Sequence, residues 1–270
     1  NMGVPKATIE LTHTFAYNDL ASLETLFEQY PNQIAAVILE PMSTTFPQAG
    51  FLEAVKEAAH TNGAILVFDE VITGFRLANG GAQEYFGVVP DLATFGKGLA
   101  NGYPLSAVVG RKEIMQLMEK AFFSFTFGGE TLSLAASKAV LEKLQREPVL
   151  DTIRRQGEKV MKGCDQLIEL HGVGHIFELV GQEPLSFLVI KDTTNYTQWE
   201  TKTLFYQEMY ERGILTLGSH NMSYAHTDED VEQLLRVYKE VFPIIRRAVD
   251  NGMLSEMLRA EPLIPLFKVR

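Results

Sequence analysis

Apolar positions along the chain follow two spacings, one helical and one of short unbroken runs. Leu20, Leu23, Leu26, Phe27 and Tyr30 recur at helical spacing, which predicts a helix from Asn18 to Tyr30 with Asn18 as N-cap and Pro31 as stop. The run from Ile34 to Leu39 predicts a strand. Leu52, Val55, Ala58 and Ala59 predict the next helix, closed by Asn62-Gly63, a pair suited to a left-handed C-cap. A second apolar run, Ala64 to Phe68, leads straight into two carboxylates, Asp69 and Glu70. Further runs at Leu92 to Phe95 and Ser106 to Val109 are separated by a glycine-rich turn. Strands that do not alternate, interleaved with helices, predict a mostly parallel sheet covered on both faces.

The pattern changes after Phe127. Leu132, Ala135, Ala136, Ala139, Val140 and Leu144 mark one helix, and Leu150, Ile153, Val160, Cys164, Leu167 and Ile168 mark a longer one after Pro148. This pair reads as a bridge between domains. Strands are expected at Ile176 to Val180, Leu185 to Ile190 and Ile214 to Leu217, with a helix from Trp199 to Arg212 stopped by Gly213. Thr227 is the expected N-cap of a last helix, over Asp228, Glu229 and Asp230, whose charges suit a helix N-terminus. The expectation is an α/β unit followed by a smaller α+β unit.

Composition narrows the function classes. With Lys+Arg 24 against Asp+Glu 34, the net charge is -10, which offers no footprint for nucleic acid. The apolar runs are strand-sized, far below the roughly 20 residues that span a bilayer, so no membrane partner is expected. The single cysteine, Cys164, cannot form an internal disulfide and lies in a helical pattern; a reducing, cytoplasmic setting fits.

Chemistry enters at ILVFDEVITGFR, Ile65 to Arg76. A strand ending in Asp-Glu could hold Mg²⁺ beside a nucleotide, could face a cofactor ring nitrogen, or could be a solvated turn. The nucleotide reading needs a glycine-rich phosphate cradle with the pattern G-x-x-x-x-G-K-[ST]. Gly96-Lys97 is followed by Gly98, and Asp91 stands where the first glycine should be. Lys97 alone would serve as a solvated loop residue. It follows Asp69 by one strand, however, so both lie at the carboxyl edge of a parallel sheet, where such folds bind ligands. A lysine amine to form an imine and a carboxylate to keep a pyridine nitrogen protonated together suit pyridoxal phosphate. His171 and His175 have no metal-ligand spacing, and no metal is expected.

DEVITGFR (Asp69 to Arg76), PDLATFGKGLANGYPLSAVVGR (Pro90 to Arg111) and FTFGGET (Phe125 to Thr131) resemble the class III pyridoxal-phosphate aminotransferases. The similarity is greatest to the glutamate-1-semialdehyde 2,1-aminomutase group. That group shares the YNDLASLETLF-like helix, the strand ending in Glu40-Pro41 and a segment like SYAHTDED (Ser223 to Asp230).

The resemblance implies an α/β fold type I PLP-transferase, with residues 1–147 part of the cofactor-binding large domain. Residues 148–270 would form a linker helix and the C-terminal small domain. Pyridoxal 5'-phosphate would be the cofactor, joined by Lys97, with Asp69 on the pyridinium nitrogen and Val71 on one ring face. Thr126 would reach the phosphate of a neighbouring subunit in a homodimer, and Glu40 would lie on the substrate side. The substrates would be an amine or amino acid and a keto or aldehyde acceptor; intramolecular transfer of the aminomutase type is the alternative. The resemblance further implies that the chain begins inside the family's fold, after a loop that holds most of the phosphate. A non-catalytic dimerising fragment that holds the cofactor weakly is therefore a third reading. One departure is visible: the family usually continues the glycine pair with Asn-Pro, whereas Gly128-Gly129 leads to Glu130-Thr131.

Overall fold

A computed structural model describes residues 2–265, which divide into two units, Asn1–Pro148 and Val149–Arg270. In the first, α1 (Lys6–Glu10) and α2 (Leu20–Gln29) precede β1 (Ala36–Leu39), α3 (Phe51–Thr61) and β2 (Ile65–Asp69). Then come α4 (Ala82–Phe86), β3 (Leu92–Phe95), β4 (Ala107–Gly110), α5 (Lys112–Met115) and α6 (Thr131–Arg146). The sheet order is β1-β2-β3-β4; the first three strands are parallel and β4 runs antiparallel to β3. Val37, Leu39, Leu66 and Phe68 bury one sheet face against Leu23, Phe27, Leu52, Val55 and Ala59 of α2 and α3. Side chains alternate between faces along a strand. Coverage of both faces, expected from the sequence, does not extend to β1, where Ile38 on the other face is 59% exposed.

The start of α2 also differs from expectation. Asp19, not Asn18, is the N-cap, accepting from the Ser22 N–H at 3.2 Å. Asn18 has φ 64 and its amide is used elsewhere: it donates to the Phe46 carbonyl and accepts from the Gln48 N–H, both at 2.8 Å. An Asn tolerates the left-handed region because its short polar side chain bonds locally.

At the amino edge of the sheet, buried Asp91 ties the layers together. It accepts from the Leu66 N–H at 2.7 Å, Arg111 Nη1 at 2.9 Å and His60 Nε2 at 2.8 Å.

The second unit contains α7 (Val149–His171), β5 (Phe177–Gln182), β6 (Leu185–Ile190), α8 (Gln198–Glu211), β7 (Ser219–Asn221), α9 (Asp228–Asp250) and α10 (Leu254–Met257). Its three strands form an antiparallel sheet in the order β5-β6-β7. Phe177, Phe205, Tyr238, Phe242 and Ile245 fill the core, and Cys164 is buried there with its thiol pushed up to about 12 by desolvation. Thr227 caps α9 in a reciprocal box with Asp230. The strand expected at Ile214 to Leu217 is absent: Leu215 and Leu217 face solvent, the Tyr210 hydroxyl bonds the Thr216 carbonyl, and pairing with β6 begins only at Ser219.

Candidate active site

The carboxyl ends of β1, β2 and β3 bring Glu40, Asp69 and Lys97 to one edge of the sheet. Their proximity is felt electrostatically. Desolvation first, and the Asp69 carboxylate second, push the Glu40 carboxyl up, against the opposing pull of the Lys97 ammonium.

Each of the three is positioned by its own local structure. Glu40 precedes a loop held by Tyr17, whose hydroxyl donates to the Pro41 carbonyl at 2.8 Å, and by the Asn18 amide. Asp69 closes β2 in register with Thr94 of β3. Its Oδ1 accepts from the Val71 N–H and from the Thr94 hydroxyl, both at 3.1 Å. Its Oδ2 has no hydrogen-bond partner among the described residues. Lys97 opens a single 3-10 turn after Gly96, with φ 41, a region that costs a non-glycine residue on the order of 1–3 kcal/mol. Its amine is exposed and makes no hydrogen bond or ion pair among the described residues.

Glu70 is adjacent to Asp69 but takes no part in this edge. It is fully buried and accepts from the Thr73 hydroxyl at 2.6 Å and from the Ala82 and Gln83 N–H groups at 2.7 and 2.8 Å. A Cβ at Gly81 would lie 2.6 Å from Glu70 Oε2, so only glycine fits there. Gly74 is equally constrained: its Cβ would meet the Phe95 ring at 2.6 Å and the Glu70 carbonyl at 2.7 Å. The DEVITG turn thus folds tightly over the end of β3 and sets Asp69 beside Thr94.

Val71 stands beside Gly96, whose Cβ would lie 3.4 Å from Val71 Cγ1. Thr126 lies in an exposed turn between Phe125 and Phe127 and shares no hydrogen-bond partner with the other four residues among the described residues. The departure at Glu130 has a local explanation. Its carboxylate caps α6, accepting from the Ser133 hydroxyl at 2.6 Å and from the Leu132 and Ser133 N–H groups at 2.7 Å, and these bonds lower its pKa. Sequence pattern does not mark Tyr17 or Thr94, and it marks Asn18 only as a helix cap. The parallel register of Thr94 with Asp69 was the signal that could have found it.

The set of groups suits pyridoxal phosphate. An unpaired amine at Lys97 can meet an aldehyde, and the open Oδ2 of Asp69 can accept from a protonated ring nitrogen. At Gly98 an added Cβ would meet nothing nearer than the Gly74 carbonyl at 3.8 Å, which leaves room beside the lysine.

Comparison with known proteins agrees with this chemistry. The family described as aminotransferase class-III matches residues 2–238. Glutamate-1-semialdehyde 2,1-aminomutase of Ruminiclostridium cellulolyticum is 35% identical, over 96% of this chain and 62% of its own length. The 3-aminobutyryl-CoA aminotransferase of Cloacimonas acidaminovorans is 32% identical, over 91% of this chain and 61% of its own. The PLP internal aldimine form of FumI from Sphingopyxis sp. superposes with a TM-score of 0.84 at 25% identity, over 92% of this chain and 61% of that one. An omega-transaminase from Sphaerobacter thermophilus gives a TM-score of 0.81 at 23% identity, over 91% of this chain and 60% of that chain, a likeness of fold alone. The chain therefore spans roughly three fifths of the length of these relatives, and the expected α/β class of the fold type I transferases is borne out. The chain belongs to the class-III aminotransferase family.

Proposed function

We propose that this chain carries the lysine and the ring-nitrogen partner of a pyridoxal-phosphate-dependent enzyme that transfers an amino group. The observation that supports this most directly is that the carboxyl ends of the parallel strands β1, β2 and β3 bring Glu40, Asp69 and Lys97 to one sheet edge. Residues 1–147 would contribute to the cofactor-binding domain, and 148–270 would form the linker helix and small domain. Asp69 would accept from the pyridine N–H through Oδ2 and keep that proton in place. Val71 would pack on one ring face, Glu40 would face the substrate, and Thr126 would serve the phosphate site of a second copy in a homodimer. When bound, pyridoxal phosphate supplies an electron sink for charge developing on the substrate carbon. Lys97 would hold the cofactor, and its amine would take the proton from the substrate carbon and return it. The substrates would be an amine or amino acid and a keto or aldehyde acceptor, in the cytoplasm.

A second reading, amine transfer within one molecule, is favoured by the 35% identity to two glutamate-1-semialdehyde aminomutases. Product analysis with glutamate 1-semialdehyde separates it from transfer between molecules.

The test of the cofactor assignment is reductive trapping. The purified chain is mixed with pyridoxal phosphate, reduced with borohydride, digested and weighed. The expected outcome is a pyridoxyl mass on the peptide containing Lys97, with a visible absorbance band before reduction, and neither in Lys97→Ala. Label spread over surface lysines, unchanged in the variant, would refute the assignment.

A further inference from the structure

Asp69 is held through one oxygen by two donors of different origin. The Val71 N–H comes from two residues further along the same chain segment, so it accompanies Asp69 wherever the end of β2 goes. The Thr94 hydroxyl comes from the neighbouring strand, at the residue in register with Asp69. With one donor alone, the carboxylate plane can rotate about the bond to Cβ. Two donors converging on one oxygen from different elements fix that plane, so the oxygen left open faces one direction. Hydrogen bonds to an ionised acceptor are the strong, geometrically demanding kind.

We propose that Thr94 is a positioning residue that locks the Asp69 carboxylate by its hydroxyl, so that Oδ2 is presented to a protonated aromatic nitrogen. This deepens the cofactor assignment and rests on it. The backbone of Thr94 already serves the sheet, its carbonyl accepting from the Glu70 N–H at 2.9 Å. The hydroxyl is therefore not needed for strand pairing, and its removal tests orientation rather than fold.

Thr94→Val keeps the volume and the β-branched shape and removes only the donor; Thr94→Ser keeps the donor. Crystal structures of the ligand-free parent and both variants report the orientation of Asp69, and titration with pyridoxal phosphate followed by absorbance reports affinity. Expected is an Asp69 side chain that turns or splits between orientations in Thr94→Val. That variant should bind pyridoxal phosphate roughly tenfold more weakly, the order expected for one charge-assisted hydrogen bond. Thr94→Ser should restore both the orientation and the affinity, which a merely structural role for the side chain would not require. An unmoved Asp69 in Thr94→Val, or a serine variant that behaves like the valine one, would overturn the proposal. Should Thr94→Val fail to fold, Thr94→Ala carries the same comparison. If the parent itself takes up no pyridoxal phosphate, the cofactor assignment fails, and the orientation of Asp69 still decides the role of Thr94.

Discussion

Asp69 and Glu70 are neighbours with opposite fates, because successive side chains at a strand end point to opposite faces. One keeps an oxygen open at the sheet edge; the other is sealed under the turn and satisfied by three donors. The sequence pattern marked the pair, yet assigning roles within it needed the positions of Thr73, Ala82 and Gln83. Buried titratable groups elsewhere make acid stability a residue-scale prediction. His220 is buried in the second unit, bonded to the Ser186 hydroxyl at 2.9 Å and the Tyr238 hydroxyl at 2.7 Å, and desolvation lowers its pKa from 6.5 to about 4. Below pH 6.5 the unfolded chain takes up a proton that the folded one refuses, so stability falls between pH 6.5 and 4, by about 3 kcal/mol. Asp91 acts lower. Burial alone would raise it, but bonds from Leu66, Arg111 and His60 outweigh burial and bring it from 3.8 to about 2. Its contribution, about 2 kcal/mol, is complete above pH 3.8 and lost as pH falls toward 2. Denaturant unfolding from pH 7 to 4 should show the first loss in the parent and a flatter profile in His220→Gln. A parent whose stability is constant over that range would exclude a neutral buried His220.

At the scale of elements, helices with strong periodicity were legible and their contacts were not. The helical stripes of α7 and α9 could be read directly, and the reciprocal cap at Thr227 followed from residue type. The apolar run Ile214 to Leu217 misled because it combines strand-like composition with an exposed course that the Tyr210 and Thr216 contacts hold in place. Two glycines in α7 show what periodicity leaves out. Replacing either by Ala should favour the helix by about 1 kcal/mol on propensity alone. A Cβ at Gly157, however, would lie 1.6 Å from the Glu183 carbonyl oxygen, in the turn between β5 and β6, and backbone cannot step aside as a side chain can. At Gly163 the obstacle is Leu235 Cδ1 at 2.4 Å, the mobile end of a side chain. Overpacking costs about 1–3 kcal/mol or more where the neighbour is rigid, which exceeds the propensity gain at Gly157. Thermal unfolding should therefore show Gly157→Ala clearly destabilised and Gly163→Ala much less affected. Equal melting temperatures for the two would mean that the turn yields as readily as a leucine.

For the whole molecule, composition indicated a globular protein without a polyanion footprint, and among the described residues no helix is long and apolar enough to cross a membrane. Less legible was where the chain leaves its apolar surface uncovered. Phe122, Phe123, Phe125 and Phe127 all face solvent, Phe122 at 97% exposure, and Leu132 and Leu134 at the start of α6 are exposed beside them in sequence. Aromatic side chains of this size each cover about 150–250 Å² when buried. Four such rings, with the two leucines, carry more apolar surface than the few hundred Å² of a usual monomer patch. Each phenylalanine covered by a partner would contribute roughly 1.5–3 kcal/mol before the cost of association. The proposed homodimer would place this segment, with Thr126 at its centre, against the second copy. Sedimentation velocity across micromolar concentrations should then find a dimer for the parent. Phe122→Glu combined with Phe125→Glu should give a monomer with an unchanged far-ultraviolet spectrum, because neither side chain contributes to the core of its own chain. A parent that stays monomeric throughout would remove the homodimer and, with it, the shared role proposed for Thr126. A parent that is dimeric to the same extent as the double variant would move the contact to another face.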